Sequence, residues 1–421
     1  MRVGGSVQVP GDKSITHRAL MLAALAPGRS LLRGALTSLD ARSTASILRQ
    51  LGIPISALRA GAEVTVRGRH RFAQPAVTLD CGNAGTTARL VTGLLAAQPI
   101  SARLTGDASL RRRPMRRVTE PLGLMGATFE PAAAERLPFA VRGGKLHGLR
   151  HDLPVSSAQV KSALLLAGAC ARVDVSLREP DGLSRDHTER MLRALGFVVA
   201  DRAGRIELSA WGTFQPFEFE VPADPSSAAF LVAAAVLGES GEIALPGVGL
   251  NPTRTGFLTV LSRMGAALAV ADLTERMGEP AGTLLARPAQ LVGTVVQAGE
   301  IPGLVDEVPM LAVLAARAQG ETRFRSVGEL RVKESDRLGL IAANLQALGQ
   351  RAAVDGDDLV VEGTDAPPRG RVRTDGDHRI AMAFRVLGTV PGARVVVDNI
   401  ACADVSYPGF VAALDSIRRR R

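Results

Sequence analysis

Gly11-Asp12-Lys13-Ser14-Ile15-Thr16-His17-Arg18 is followed at once by Ala19-Leu20-Met21-Leu22-Ala23-Ala24-Leu25. The first part packs a Gly, two cations, two hydroxyls and a His into one turn. The second part is an apolar helix. A polar turn feeding an apolar helix leaves free backbone N–H groups and the positive end of a helix dipole beside Lys13 and Arg18. That is an anion site in outline. A capped helix with a solvated basic turn gives the same pattern, so this stretch alone leaves both readings open.

The pattern recurs. Asp12-KSITHRALMLAALA, Asp80-CGNAGTTARLVTGLLAA, Pro154-VSSAQVKSALLLAGAC, Pro222-ADPSSAAFLVAAAVLG, Gly303-LVDEVPMLAVLAARAQG and Asp375-GDHRIAMAFRVLG share the form, with starts 68, 74, 68, 81 and 72 residues apart. A second helix is expected inside each unit, often ending in Leu-Gly or Met-Gly, as at 41–52, 115–126, 186–196, 253–265 and 334–349. Short strand-like segments fill the gaps at 62–67, 197–200, 205–209, 351–354, 359–362 and 394–398, and Ser6-Val7-Gln8-Val9 opens the chain as a strand. Each unit therefore reads as β-α-β-α-β-β. A unit this small cannot bury its helices alone, so several must share a core.

Six units divide into two domains of three, with the break at Pro222-Ala223-Asp224-Pro225. The expected domains are 11–223 and 1–10 plus 224–421. The two crossings, near Pro10–Asp12 and Pro222–Pro225, would form a hinge, and the six polar turns would point into one cleft. The class is α/β (α+β).

Composition narrows the partners. The 421 residues are 46% hydrophobic and 22% charged, which describes a folded chain of two or three domains. No apolar run reaches the roughly 18–20 residues that span a membrane. No leader is apparent at Met1-Arg2-Val3-Gly4-Gly5, so a cytoplasmic protein is expected. The net charge of +10 calls for anionic partners. Aromatic residues make up only 3%, which is poor for stacking bases, so small anionic metabolites fit better than nucleic acid. Cys81, Cys170 and Cys402 are scattered, and no Cys/His cluster has zinc spacing, so neither disulfide nor metal is expected. Only four of the 51 basic residues are Lys, and Lys13, Lys161 and Lys333 lie in motif-like stretches. An ammonium does not replace a guanidinium at a tight site.

The turns carry the chemistry. They offer Lys13, Ser14 and Arg18; Asn83 to Thr86 with Arg89, then Arg111-Arg112-Arg113; Ser156 to Gln159 with Lys161, then Arg185; Asp306-Glu307, then Arg331 to Arg337; and Asp377-His378-Arg379. Gly85 lets a ligand approach the backbone. Ser, Gln and Arg at helix starts suit phosphate and hydroxyls. The cations exceed what one phosphate needs. No Walker-type phosphate loop or dinucleotide fingerprint is present.

Pro10-GDKSITHR, Gly82-NAGTTAR, Arg113-PM, Ser157-AQVKSA, Arg185-DHTE, Asp306-Glu307, Arg331-VKESDR and Asp377-HRIAM run in this order through nearly the whole chain. Together they resemble the enolpyruvyl transferases, in the branch that acts on shikimate 3-phosphate. The resemblance implies two domains of three βαβαββ repeats, an inside-out α/β barrel. It implies transfer of the enolpyruvyl group of phosphoenolpyruvate to the 5-hydroxyl of shikimate 3-phosphate, through a tetrahedral intermediate, in the shikimate pathway. It implies no cofactor, a monomer, and inhibition by glyphosate.

Residue by residue, the resemblance assigns Lys13, Ser14, Arg18, Ser157, Ala158, Gln159, Arg185, Asp306 and Lys333 to shikimate 3-phosphate. It assigns Lys13, Gly85, Arg113, Gln159, Arg337 and Arg379 to phosphoenolpyruvate, with Arg89 supporting the turn. Glu334 is the candidate proton donor to the methylene, which requires desolvation to outweigh the neighbouring cations. Asp306 is the candidate base, Lys13 and Lys333 assist phosphate departure, and His378 orients a neighbour. One departure stands out: some members carry a Lys just before an aromatic-Pro pair, where this chain has Val405-Ser406 before Tyr407-Pro408. The alternatives are the sister transferase acting on UDP-N-acetylglucosamine and a non-enzymatic binder of phosphorylated metabolites or RNA. The first usually carries a reactive Cys between its second and third units, and 106–115 has none.

Overall fold

The six apolar segments form helices with almost no wet face: Lys13–Leu25, Gly85–Ala96, Ala158–Ala171, Pro225–Val236, Val308–Ala315 and His378–Leu387. In the first of these every residue from Ile15 to Leu25 is buried. A helix that is apolar all round must sit inside a core. Amphipathic partners cover them. Leu39–Gln50, for example, buries Ala41, Thr44, Ala45, Ile47 and Leu48 and leaves its other face to water.

The computed structural model describes residues 1–132, 134–180 and 184–419. The chain divides into two units. The first is Gly11–Val221 with Glu275–Glu279; the second is Met1–Pro10, Pro222–Thr274 and Pro280–Arg421. Each has its own hydrophobic core.

Within each unit the repeat is visible in the sheets. In the first unit Leu79–Asp80 runs parallel to Ser101–Thr105. That strand pairs antiparallel with Phe139–Arg142, which pairs antiparallel with Thr128–Glu130. The same sequence of one parallel and two antiparallel pairs links Leu149–Asp152, Val175–Arg178, Arg205–Leu208 and Val199–Arg202. In the second unit it links Val295–Val296, Glu321–Phe324, Asp358–Glu362 and Arg351–Asp355. A parallel pair needs a crossover, and the buried helix supplies it.

Each unit closes with a strand borrowed from a distant part of the chain. Glu218–Glu220, at the end of the third repeat, lies parallel to Gly28–Arg33 of the first repeat. Arg2–Ser6 lies parallel to Ser240–Gly249 in the second unit.

Several boundaries depart from the sequence reading. The opening strand is Arg2–Ser6, not 6–9; Gly5 takes φ 108°, which a glycine tolerates, and Pro10 ends extended pairing early. The helix expected from 334 begins at Arg337, because Asp336 caps it by accepting from the Gly339 N–H at 3.0 Å. A short unexpected helix, Ala108–Arg112, is capped by Asp107. Of the basic tail, Arg420 and Arg421 lie outside the described residues.

Gly93 and Ala163 mark the closest approach of two central helices in the first unit. A Cβ on Gly93 would stand 2.2 Å from the Ala163 carbonyl oxygen, which is backbone and cannot rotate away. We expect Gly93→Ala to cost about 2 kcal/mol and to lower the thermal midpoint by about 5 °C, read by calorimetry.

Candidate functional site

The helix starts are satisfied in two different ways. Asp12 caps the Lys13 helix by accepting from the Ile15 N–H at 2.8 Å. Asp224 and Asp377 do the same for their helices, at Ser226 (2.8 Å) and Arg379 (2.9 Å). The Gly85, Ala158 and Val308 helices have no side-chain cap. In the Val308 helix Pro309 has no N–H and the Met310 N–H donates to the Glu307 carbonyl at 3.0 Å, so only the Gly85 and Ala158 helices present a first turn whose N–H groups a ligand or water could take.

In the first unit, Lys13 pairs with Asp40 at 3.2 Å, with both side chains mostly buried. Arg18 is 2% exposed. It donates to the Ser14 carbonyl (2.8 Å), Ser162 Oγ (2.6 Å) and Thr188 Oγ1 (2.7 Å). Burial pushes its pKa down to about 10, against the opposing pull of Glu189 and Asp12, so it stays charged near neutrality. His17 shares a hydrogen bond with Thr44, which shares another with Thr87, each at 2.7 Å. Burial and the nearby Lys13 and Arg18 push the imidazole down to about 3, so it is neutral.

Gln159 is held at both ends of its amide. Its Oε1 accepts from Arg89 at 2.5 Å and its Nε2 donates to Thr86 at 3.0 Å. Arg89 also donates to the Pro114 carbonyl at 3.2 Å, so it braces the turn around Gln159. The run Arg111-Arg112-Arg113 separates: the first two are exposed, while Arg113 is buried and donates to Asn83 (2.7 Å) and Ser109 (3.3 Å). A Cβ on Gly85 would lie 2.8 Å from Arg89 Nη1 and 3.2 Å from Arg113 Nη1. Ser157, Ala158 and Arg185 are half-buried, and the Ser157 N–H donates to Glu179 at 3.1 Å.

The second unit gathers carboxylates around two guanidiniums. Arg337 has a fully buried side chain. Its Nε donates to Asp377 at 2.7 Å, its Nη1 meets Asp306 at 3.2 Å, and its Nη2 meets Glu334 at 2.6 Å. Burial opposes its charge, but Asp377, Glu334 and Asp306 outweigh that and raise its pKa. Burial would likewise raise the pKa of Asp377, and Arg337 overrides it to hold the carboxylate below its usual range. Ser335 adds a bond to Asp377 at 3.0 Å. Arg379 donates to the Asp306 carbonyl at 3.2 Å and lies 3.6 Å from both the Asp306 and Glu307 carboxylates. Ser226 donates to the same Glu307 oxygen.

The placement of the expected residues is uneven. Asp306, Glu334, Arg337 and Arg379 form one network, with His378 buried at the head of its helix beside them in sequence. Lys333 instead points to Glu329, 3.0 Å away, four residues back. Glu334 is partly exposed and ion-paired with Arg337, a contact that the proton-donor role would have to give up. Lys161 is fully buried and pairs with Glu179 and Glu189 at 2.8 Å each. Sequence reading did not name Asp40 or Glu179; it named Glu307 and Asp377 in their turns but gave neither a role. Both signal locally, as an acid directly before a helix. Among the described residues no group of three or more His, Cys, Asp or Glu could hold a metal ion.

The sequence model for "EPSP synthase (3-phosphoshikimate 1-carboxyvinyltransferase)" matches residues 1–414. A protein of Thermus thermophilus named 3-phosphoshikimate 1-carboxyvinyltransferase is 51% identical over 409 residues, covering 96% of this chain and 94% of that protein. A protein of the same name from Granulibacter bethesdensis is 47% identical, covering 99% of this chain and 94% of the other. The solved EPSP synthase of Acinetobacter baumannii is 38% identical, with a TM-score of 0.87 over 99% of this chain and 96% of its own. The enolpyruvyl transferase NikO of Streptomyces tendae, at 21% identity and a TM-score of 0.77, shares the fold. With motifs, repeats and full-length likeness in agreement, the chain belongs to the EPSP synthase family.

Proposed function

We propose that this chain transfers the enolpyruvyl group of phosphoenolpyruvate to the 5-hydroxyl of shikimate 3-phosphate and releases phosphate. This is the carboxyvinyl transfer for which its relatives are named. The observation that carries the chemistry is the network of Arg337 and Arg379 with Asp306 and Glu334. Two guanidiniums, suited to an anionic substrate, meet two carboxylates there, which supports a reading with an acid and a base.

The first-unit residues Lys13, Ser14, Arg18, Ser157, Ala158, Gln159 and Arg185 would hold shikimate 3-phosphate, and the resemblance assigns Asp306 and Lys333 to the same substrate. The uncapped Ala158 helix offers N–H groups to an anion, and Lys13 offers its ammonium once Asp40 yields it. Lys13, Gly85, Arg113, Gln159, Arg337 and Arg379 would hold phosphoenolpyruvate. The uncapped Gly85 helix and the guanidinium of Arg113 lie beside a residue with no side chain to fill the space.

The reaction needs a proton on the phosphoenolpyruvate methylene carbon, which makes C2 electrophilic. The 5-hydroxyl oxygen then bonds to C2 as its proton passes to a base. From the tetrahedral intermediate, the new methyl group returns a proton and the C2–O bond to phosphate breaks, giving the enol ether. Asp306, held by two guanidiniums, serves as the base. Glu334 serves as the acid. An incoming carboxylate at Arg337 would displace Glu334 more readily than Asp377, because Asp377 is wholly enclosed. A Glu334 freed from its guanidinium gains affinity for a proton, which is what the donor role asks of it. Phosphate departs against Lys13, Lys333 and Arg379; Val405-Ser406 contributes no cation. His378 orients its neighbours. The protein works as a monomer without nucleic acid, in the cytoplasm. The shared name of the relatives does not favour the UDP-N-acetylglucosamine reading.

Mixing the protein with both substrates should release phosphate, and omission of either should abolish release. An inert mixture would refute the reading. Glu334→Gln keeps the shape but cannot deliver a proton, so turnover should fall by about a hundredfold or more. Near-normal turnover would remove Glu334 from the acid role. Glyphosate should inhibit in competition with phosphoenolpyruvate, and Gly85→Ala, by pushing on the two guanidiniums, should weaken both ligands several-fold. Steady-state inhibition at millimolar glyphosate decides this.

A further inference from the structure

Glu179 takes no place in the chemistry above, yet its carboxylate gathers four donors from two turns. Oε1 accepts from the Ser157 N–H at 3.1 Å and from Ser184 Oγ at 2.5 Å. Oε2 accepts from Lys161 Nζ at 2.8 Å and from the Ser184 N–H at 3.0 Å. Lys161 completes the ring by donating to the Ser184 carbonyl at 3.1 Å and pairing with Glu189 at 2.8 Å. The side chains of Lys161, Glu179 and Glu189 are at most 1% exposed. Glu179 and Glu189 both pair with Lys161, and Glu189 also acts on Arg18, which itself bonds Ser162 and Thr188.

A buried ion pair is a poor way to stabilise a core, since desolvation consumes most of its attraction. What this pair does that two apolar side chains could not is bind two backbone N–H groups at once. One belongs to Ser157, the first residue of the Ser157-Ala158-Gln159 turn. The other belongs to Ser184, next to Arg185. Those are the two first-unit turns read above as contacts for shikimate 3-phosphate.

We propose that Glu179 is a positioning residue that fixes the Ser157–Gln159 turn and Ser184-Arg185 at the spacing shikimate 3-phosphate requires. The proposal rests on the functional reading above. Glu179 never touches the substrate. It sets where the N–H groups of the uncapped Ala158 helix and the Arg185 backbone stand, and Lys161 cancels its charge so that the anion is not repelled.

The test is Glu179→Gln. An amide has one oxygen for four converging donors, and its NH2 must face one of them, so the link between the turns breaks. The KM for shikimate 3-phosphate should rise about tenfold, as one buried donor left unpaired implies. The KM for phosphoenolpyruvate and the turnover at saturation should stay within about twofold, a split that general loosening of the fold would not give. Ser184→Ala removes one donor and leaves the Lys161 pair intact, so it serves if the first variant does not fold. It should raise the same KM about threefold. An unchanged KM for shikimate 3-phosphate in either folded variant, or a parallel rise for both substrates, overturns the proposal. The unaltered protein is assayed alongside. If it releases no phosphate, the functional reading falls and takes this proposal with it; if it is active, an unchanged variant overturns the role of Glu179 alone.

Discussion

A helix enclosed on every side still has N–H groups at its start with no partner in the helix. Three such helices form the interior of each unit, and the need to satisfy their starts organises what surrounds them. Of the six, three are closed by an Asp, and the polar residues at the others are drawn into shared networks instead. The alanine-rich bodies allow close packing, as Gly93 against Ala163 shows. The candidate functional side chains gather at the turns and first helical turns because the rest of each helix is enclosed.

The turns bring together more charge than a stable core would choose. Arg337 is buried against Asp377, Asp306 and Glu334, and Lys161 against Glu179 and Glu189. Such groups cost a great deal to desolvate singly and little when neutralised together. The arrangement holds each cation in a fixed place while leaving some of its partners replaceable. Glu334 and Asp306 keep partial contact with solvent; Asp377 has none. On the proposed function, an anionic substrate would exchange with the first two and rely on the third to keep the guanidinium aligned.

The repeat was legible because it lies in runs of apolar residues, which composition displays directly. The helix starts at Lys13, Gly85, Ala158 and His378 follow from the polar turns before them. The ion pairs were not legible, because their members are far apart in the chain: 40 residues separate Arg337 from Asp377, and 27 separate Lys13 from Asp40. An Asp or Glu on a surface loop and one that neutralises a buried Arg look alike in sequence. The resemblance gave roles to the cations and two of the carboxylates, included Glu307 in a motif without a role, and passed over Asp40 and Glu179, whose work is done on other side chains. The opening strand was misplaced for a different reason. Its Gly4-Gly5 pair carries no β-propensity, and pairing with Ser240–Gly249 overrides that.

The lysines show how far composition can lead. A chain that writes Arg at nearly every cationic position uses Lys at four, and three of the four lie in motif-like stretches. The structure divides them. Lys13 is paired yet keeps some exposure, at 15%. Lys333 is more exposed still and leans on a nearby Glu329. Lys161 is sealed in, and its ammonium fits between two carboxylates and a backbone carbonyl where a planar guanidinium would have to displace one of them. A compact cation is therefore demanded by crowding, and crowding arises behind the binding turns as well as at their surface. Of the four lysines Lys145 is exposed and Lys333 partly so, so crowding accounts for Lys161 and rarity alone does not mark a binding cation.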